Sequence, residues 1–173
     1  MGDQRTLTRE LADLAQTLAT HRHFLRHTAR DLTDEQAAAT PTVSALSVGG
    51  IIKHVTQVEQ QWAQFVRIGA EAMGAHDDPD RLRAWMGAFA MAPGETLAGV
   101  LDDYLATAAQ TDELLAALPD LDAARPLPQA PWYEPGAQWS FRRVFLHLIA
   151  ETSQHAGHAD IIREAIDGAK SMG

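Results

Sequence analysis

The sequence predicts an all-α protein, a four-helix bundle with a long connection before its last helix. Three observations predict it. Apolar residues recur at spacings of three and four along four long stretches. Alanine is frequent and β-branched runs are rare, which favours helix throughout. No stretch alternates apolar and polar residues in the manner of a half-buried strand. At 173 residues the chain suits one domain, residues 1–173, and can bury a sizeable core without disulfides.

The first helix is expected from about Thr6 to Arg30, where Leu7, Leu11, Leu14, Leu18, Leu25 and Ala29 mark one apolar face. Asp31 to Asp34 and then Pro41 end or interrupt it. The second runs from an N-cap at Ser47 to about Ile68, with Ile51, Val55, Val58, Trp62 and Phe65 at 4-3-4-3 spacing. Gly49-Gly50 near its start is a weak point for a helix and implies close packing or a bend. From Gly69 to Pro93 the pattern loosens. Residues 74–79 read as a polar loop containing His76, and a short helix is expected over Asp80 to Met91, with Leu82, Trp85, Met86 and Phe89 on one side. The third long helix covers about Glu95 to Leu118, with Leu97, Leu101, Tyr104, Ala108, Leu115 and Leu118 inward. Five prolines from Pro119 to Pro135 then exclude helix. The fourth long helix begins at an N-cap, Ser140, reaches about Ile166, and is closed by Asp167-Gly168.

Composition narrows the function. There is no cysteine, which excludes a disulfide framework, a thiolate zinc site and a cysteine nucleophile. The formal net charge is −9, from 14 Lys+Arg against 23 Asp+Glu, and such a surface repels nucleic-acid backbones. No apolar run approaches the roughly 20 residues of a membrane span, and the polar N-terminus lacks a signal-peptide h-region. A soluble cytoplasmic protein acting on a small molecule is the expectation, with no glycine-rich phosphate loop to suggest a nucleotide.

The chemistry gathers on the fourth long helix. It carries His147, Glu151, His155 and His158. Glu151 and His155 lie one turn apart on one face. On a helical wheel His155 falls within the apolar arc of Phe141, Val144, Phe145, Leu148, Ile162 and Ile166. Glu151 sits at its edge, and His147 and His158 lie further round. An ionisable pair on a core-facing stripe is costly without partners. A divalent metal ion gripped by Glu151 and His155 would supply one, with His54 of the second helix as the natural third ligand, since it flanks Ile51, Val55 and Val58. Three protein ligands leave a coordination position open for water or substrate, the pattern of a catalytic site. The same spacing also suits a plain surface pair, and a lone histidine on an apolar flank also suits a satisfied core residue. His23 and His27 share the i, i+4 spacing, but beside His21 and Arg22 they read as a solvated face. Arg142, Arg143 and Arg163 could meet a carboxylate-bearing substrate, but arginines on a helix usually form a solvated face, and that is the reading taken. Trp62 and Trp139 read as core or pocket wall.

Two segments carry a resemblance. Leu46 to Trp62, LSVGGIIKHVTQVEQQW, resembles the second-helix signature of the DinB/YfiT-like superfamily, a histidine followed by Glu59 and Trp62. Phe141 to Gly168, FRRVFLHLIAETSQHAGHADIIREAIDG, resembles the last-helix signature of its DinB-like branch found among mycothiol-producing bacteria. The resemblance implies an up-down bundle with a long crossover before the last helix, and in many members a homodimer. It implies metal ligands at His54, Glu151 and His155. Glu151 stands where many members have histidine, although related mycothiol-dependent isomerases also use a His, Glu, His set. Zinc or nickel is the expected ion, and mycothiol the expected co-substrate.

What the resemblance implies for function is a metal-dependent S-transferase or isomerase using a low-molecular-weight thiol. Glu59, His147 and His158 are then candidates to orient a ligand or carry a proton. For His158 a partly exposed polar role is the other reading. Metal-assisted hydrolysis is the alternative within enzymes. Outside enzymes stands a dimeric stress-response or binding protein.

Overall fold

A computed structural model describes residues 2–74 and 78–171, with side chains for all of these except residues 2–6, 81 and 84. His76 lies outside the described residues. Four long helices dominate: α1 (Gly2–Thr28), α3 (Val48–Ile68), α5 (Leu97–Ala116) and α6 (Phe141–Asp167). Two shorter ones, α2 (Asp34–Ala38) and α4 (Pro79–Gly87), lie between them. The fold is an all-α bundle of the DinB-like kind.

The helix starts obey local chemistry. The Ser47 hydroxyl accepts from the Gly50 amide at 3.1 Å and starts α3. The Thr96 hydroxyl accepts from Gly99 at 3.1 Å and starts α5. The Ser140 hydroxyl accepts from Arg143 at 3.2 Å and starts α6. Thr33 and Gln36 form a reciprocal capping box on α2. Gly168, at φ 78°, closes α6 in the left-handed region that glycine tolerates.

Two core clusters give the helix directions. One joins Leu14 and Leu18 of α1 to Trp62 and Phe65 of α3, Leu115 of α5 and Val144, Phe145 and Leu148 of α6. The other joins Leu25 and Ala29 of α1 to Val48, Ile51 and Ile52 of α3, Leu97 and Val100 of α5 and Ala159 and Ile162 of α6. So α1 and α6 run one way, and α3 and α5 run the other. The long proline-rich connection before α6 turns over one end of the bundle. Because α3 and α5 are parallel, residues 69–96 must travel back along the bundle's length. That return segment, with α4 in it, covers the groove between α3 and α6.

The sequence reading differs from the structure in four places. The crossover that runs the length of the bundle joins α3 to α5 and does not precede α6, so the helices run up, down, down, up and not alternately. The short helix stops at Gly87 and not at Met91. Residues 88–91 leave it to pass close over the start of α3. A Cβ on Gly50 would lie 1.9 Å from the Phe89 carbonyl oxygen, and one on Gly49 would lie 2.3 Å from Met91 Sδ. The glycine pair therefore serves close packing. On α5 the buried face runs through Val100, Tyr104, Thr107 and Thr111, while Leu101 and Ala108 are only half-buried. The two threonines are satisfied locally or across the interface: Thr111 donates to the Thr107 carbonyl and Thr107 accepts from Gln60. A reading by hydrophobicity passes over them. Finally, two three-residue strands occur where none was expected, β1 (Ala124–Pro126) and β2 (Gln138–Ser140), paired antiparallel with Arg125 opposite Trp139. Three residues are too few to show alternation. The ladder holds the crossover in place, and Arg125 donates to the Val66 and Arg67 carbonyls at the C-terminal end of α3.

Candidate metal centre

His54 belongs to the buried face of α3, where Ile51, Val55 and Val58 pack into the core and carry it inward to 3% exposure. Glu151 and His155 come from α6, which packs beside α3. One ligand atom from each of His54, Glu151 and His155 lies within 4.8 Å of the other two. An ideal tetrahedral site with bonds of about 2.1 Å has edges of about 3.4 Å, so modest rotamer adjustment closes the three on one ion. His155 Nε2 is 3.5 Å from Glu151 Oε2, and His147 Nε2 is 3.9 Å from Glu151 Oε1.

The electrostatics fit a cation. The Nδ1 atoms of His54, His155 and His158 are buried without a hydrogen-bond partner among the described residues. Native interiors rarely leave such atoms unpaired, because the lost hydration is not replaced. Burial, with a smaller contribution from His155, pushes the His54 imidazole down to about 4 against the pull of Glu151. It is therefore neutral at pH 7 with a lone pair to offer. The hydrogen bond with His155 holds the Glu151 carboxyl below its ordinary range, which leaves it an anion. Two imidazoles and one carboxylate form a donor set that suits a divalent first-row metal.

Aromatic side chains enclose the three. The Phe89 ring stacks on His54 at 3.9 Å between centroids, and Trp85 meets it edge-on at 4.9 Å. Trp62 and Trp139 stack at 4.5 Å, with the His147 ring edge-on to both at 4.9 and 5.2 Å. A cavity of 390 Å³ opens between α3, α4 and α6, walled by Trp62, Trp85, Trp132 and Tyr133 and reaching His147 and Glu151. Burial holds His147 below its ordinary pKa, with Arg143 acting the same way and Glu151 opposing.

The other candidates fall in different places. His158 stands beside His155, ring centroids 5.4 Å apart. Glu59 sits five residues beyond His54, about 140° round the helix, and turns away from the triad. Both of its oxygens are held by Arg22 at 3.1 and 2.5 Å, and Arg22 also reaches Asp112 at 2.7 Å. Arg22 is therefore no part of a solvated face. The signal was its place between Leu18 and Leu25 on the buried stripe of α1. Arg163 is also buried, donating to the Thr28 and Arg30 carbonyls and pairing with Asp167, where a solvated face was expected. Arg142 pairs with Glu10 and Asp122, and Arg143 lies over the Trp139 ring at 4.7 Å. His23 and His27 stack on each other at 5.7 Å, away from the triad. The sequence reading missed Trp132, Tyr133 and Gln61 as cavity walls. Nothing local marks them, since two come from the proline-rich crossover.

Among curated proteins none matches the chain. Residues 13–168 match the family model described as mycothiol S-transferase. That span takes in His54, Glu151 and His155 together with the whole of α3, α5 and α6 and the larger part of α1. On that match, and with the bundle architecture agreeing, the chain belongs to the mycothiol S-transferase family, one of the DinB-like families.

Proposed function

We propose that the protein is a metal-dependent S-transferase that joins a low-molecular-weight thiol of the mycothiol type to a small electrophile. One observation carries the reading: His54, Glu151 and His155 converge within 4.8 Å from two helices at a cavity of 390 Å³. The three would hold a divalent ion, zinc or nickel foremost. When bound, that ion supplies Lewis acidity that favours a thiol's thiolate form near neutral pH.

The chain's own groups do the rest. His54 and His155 present imidazole nitrogens fixed by packing, and Glu151 lowers the net charge of the site. His147, neutral and 3.9 Å from Glu151, is placed to accept the thiol proton. His158 lies edge-on against the His155 ring. Glu59, through Arg22, positions α3 against α1 and takes no proton. The aromatic walls offer an apolar surface to the electrophile, whose carbon the sulfur attacks. The S–C bond forms as the carbon–leaving-group bond breaks, and the leaving group departs with its electron pair.

The test is elemental mass spectrometry of the purified protein beside His54→Ala and His155→Ala, followed by titration of the metal-loaded form with thiol. The expected result is about one metal per chain, lost in both variants, with a spectral or calorimetric response to thiol and formation of the S-conjugate. Absence of metal in every preparation, including after dialysis against zinc or nickel, would sink the reading.

A further inference from the structure

The cavity beside the triad does not reach His54. It touches Glu151 and His147, but neither His54 nor His155 lines it. His54 is buried, and what closes over it is residues 88–94, where the chain passes from α4 to α5. The Phe89 ring stacks on the imidazole at 3.9 Å. The Phe89 carbonyl and the Met91 side chain pass so close to Gly50 and Gly49 that neither position has room for a Cβ. This strap therefore stands between solvent and His54.

The strap covers α3 closely but is tied to it at few points. Among the described residues its backbone makes no hydrogen bond to the backbone of α3, and the turns from Ala90 to Gly87 and from Glu95 to Ala92 are internal. The hydrogen bonds and ion pairs that cross to α3 come from one side chain, Lys53, the neighbour of His54. Its Nζ donates to the Ala90 carbonyl at 3.4 Å and to both Glu95 oxygens at 2.8 Å. Glu95 in turn accepts from the Ala92 amide at 2.6 Å. One ammonium thus holds the middle of the strap and its far end. The Lys53 and Glu95 side chains are 22% and 36% exposed, where an ion pair is weak and screened by salt. Both ends of the strap lie in open space. α4 stops at Gly87, Gly94 sits at φ 87°, and a Cβ at either would meet no atom within 4 Å. A segment with few tertiary hydrogen bonds between two unobstructed ends opens at low cost.

We propose that residues 88–94 form a gate over His54, latched by the Lys53–Glu95 pair and turning at Gly87 and Gly94. Closed, the gate fixes the His54 ring beneath Phe89. Open, it lifts Phe89 off the imidazole and lets an ion or a reagent reach it. As a route for metal the gate rests on the proposed function. As the cover of His54 it does not. A gate that opens whether or not an ion is present speeds entry and exit alike and leaves affinity unchanged.

The experiment compares wild type with Lys53→Met, Glu95→Gln and Phe89→Ala, each shown to be folded by circular dichroism. Diethyl pyrocarbonate carbethoxylates accessible neutral imidazoles. In the metal-free protein, mass spectrometry follows its rate at His54, with exposed His23 as the internal reference. The His54 rate is expected to rise about fivefold in either latch variant, the effect of losing a partly exposed ion pair, and further in Phe89→Ala. Added salt should speed the His54 reaction in wild type and leave the latch variants unmoved. In cobalt-loaded protein, chelator should strip the ion faster from the latch variants, loading should quicken by the same factor, and Kd should hold. Equal His54 rates in wild type and latch variants overturn the gate. So does faster stripping without faster loading, which marks damage to the site. A His54 rate that rises as expected in a protein that takes up no metal keeps the gate and removes the metal reading instead.

Discussion

His54 shows how much a single side chain's position decides. Its imidazole is pushed down to about 4, against 6.5 for an exposed histidine, chiefly by burial. Between those values the unfolded chain binds a proton that the folded chain refuses, so stability rises with pH across that window. In the metal-free protein this contribution is whole above about pH 6.5 and is lost as pH falls toward 4. It is on the order of 3 kcal/mol. Urea unfolding at pH 7 and pH 4.5 should therefore show a smaller loss for His54→Leu than for wild type. An equal loss would mean that the imidazole is hydrated. The Arg22–Glu59 pair obeys the opposite arithmetic, because both charges are buried and each depends on the other. Glu59→Leu leaves buried Arg22 with only half-exposed Asp112 as a partner and should cost about 3 kcal/mol in denaturant unfolding, whereas adding Arg22→Met should recover most of that cost. Metal content should be unchanged in both variants, since the pair faces away from the triad.

Among the elements, the return segment 69–96 matters most, because it roofs the site without contributing a ligand. Its course depends on Gly50, where any Cβ would collide with the Phe89 carbonyl. Gly50→Ala should push this segment off His54 and destabilise the fold by about 1–3 kcal/mol, as overpacking does. A spectroscopic ion such as cobalt, loaded at the triad, should report a more open environment in that variant. An unchanged spectrum and unchanged stability would mean that the segment is loosely laid. The reading of α3 from sequence held in detail, with Ser47 as cap and five apolar residues all buried. Its stripe repeats over about four turns, and long repetition averages out local accidents. The end of α4 was not legible, since what stops it is contact with the glycines of another helix.

Across the whole molecule, an ion held by α3 and α6 would tie together two helices far apart in sequence. Metal that binds only the folded state adds about 4 kcal/mol when present at a thousand times its dissociation constant. Chelation should then lower the melting temperature by about 10 °C for a chain of this size, reversibly on adding metal back. His155→Ala should melt near the chelated value whether or not metal is added. A wild-type melting curve indifferent to both chelator and metal would remove the ion from the stability of the bundle.

The sequence by itself determined the four long helices, the caps of α3 and α6, and most of their buried faces. Those follow from spacing, side-chain size and local hydrogen bonding, which are properties of neighbouring residues. It also singled out His54, Glu151 and His155, two by their spacing on one helix and one by its apolar flanks. Only the tertiary structure decided that α3 runs parallel to α5 and is joined to it along the bundle's length. That arrangement sends Trp85 and Phe89 over the triad, brings Trp132 and Tyr133 in from the crossover, and turns Arg22 onto Glu59. These contacts join residues tens of positions apart. They depend on how whole faces pack, and no local pattern encodes that.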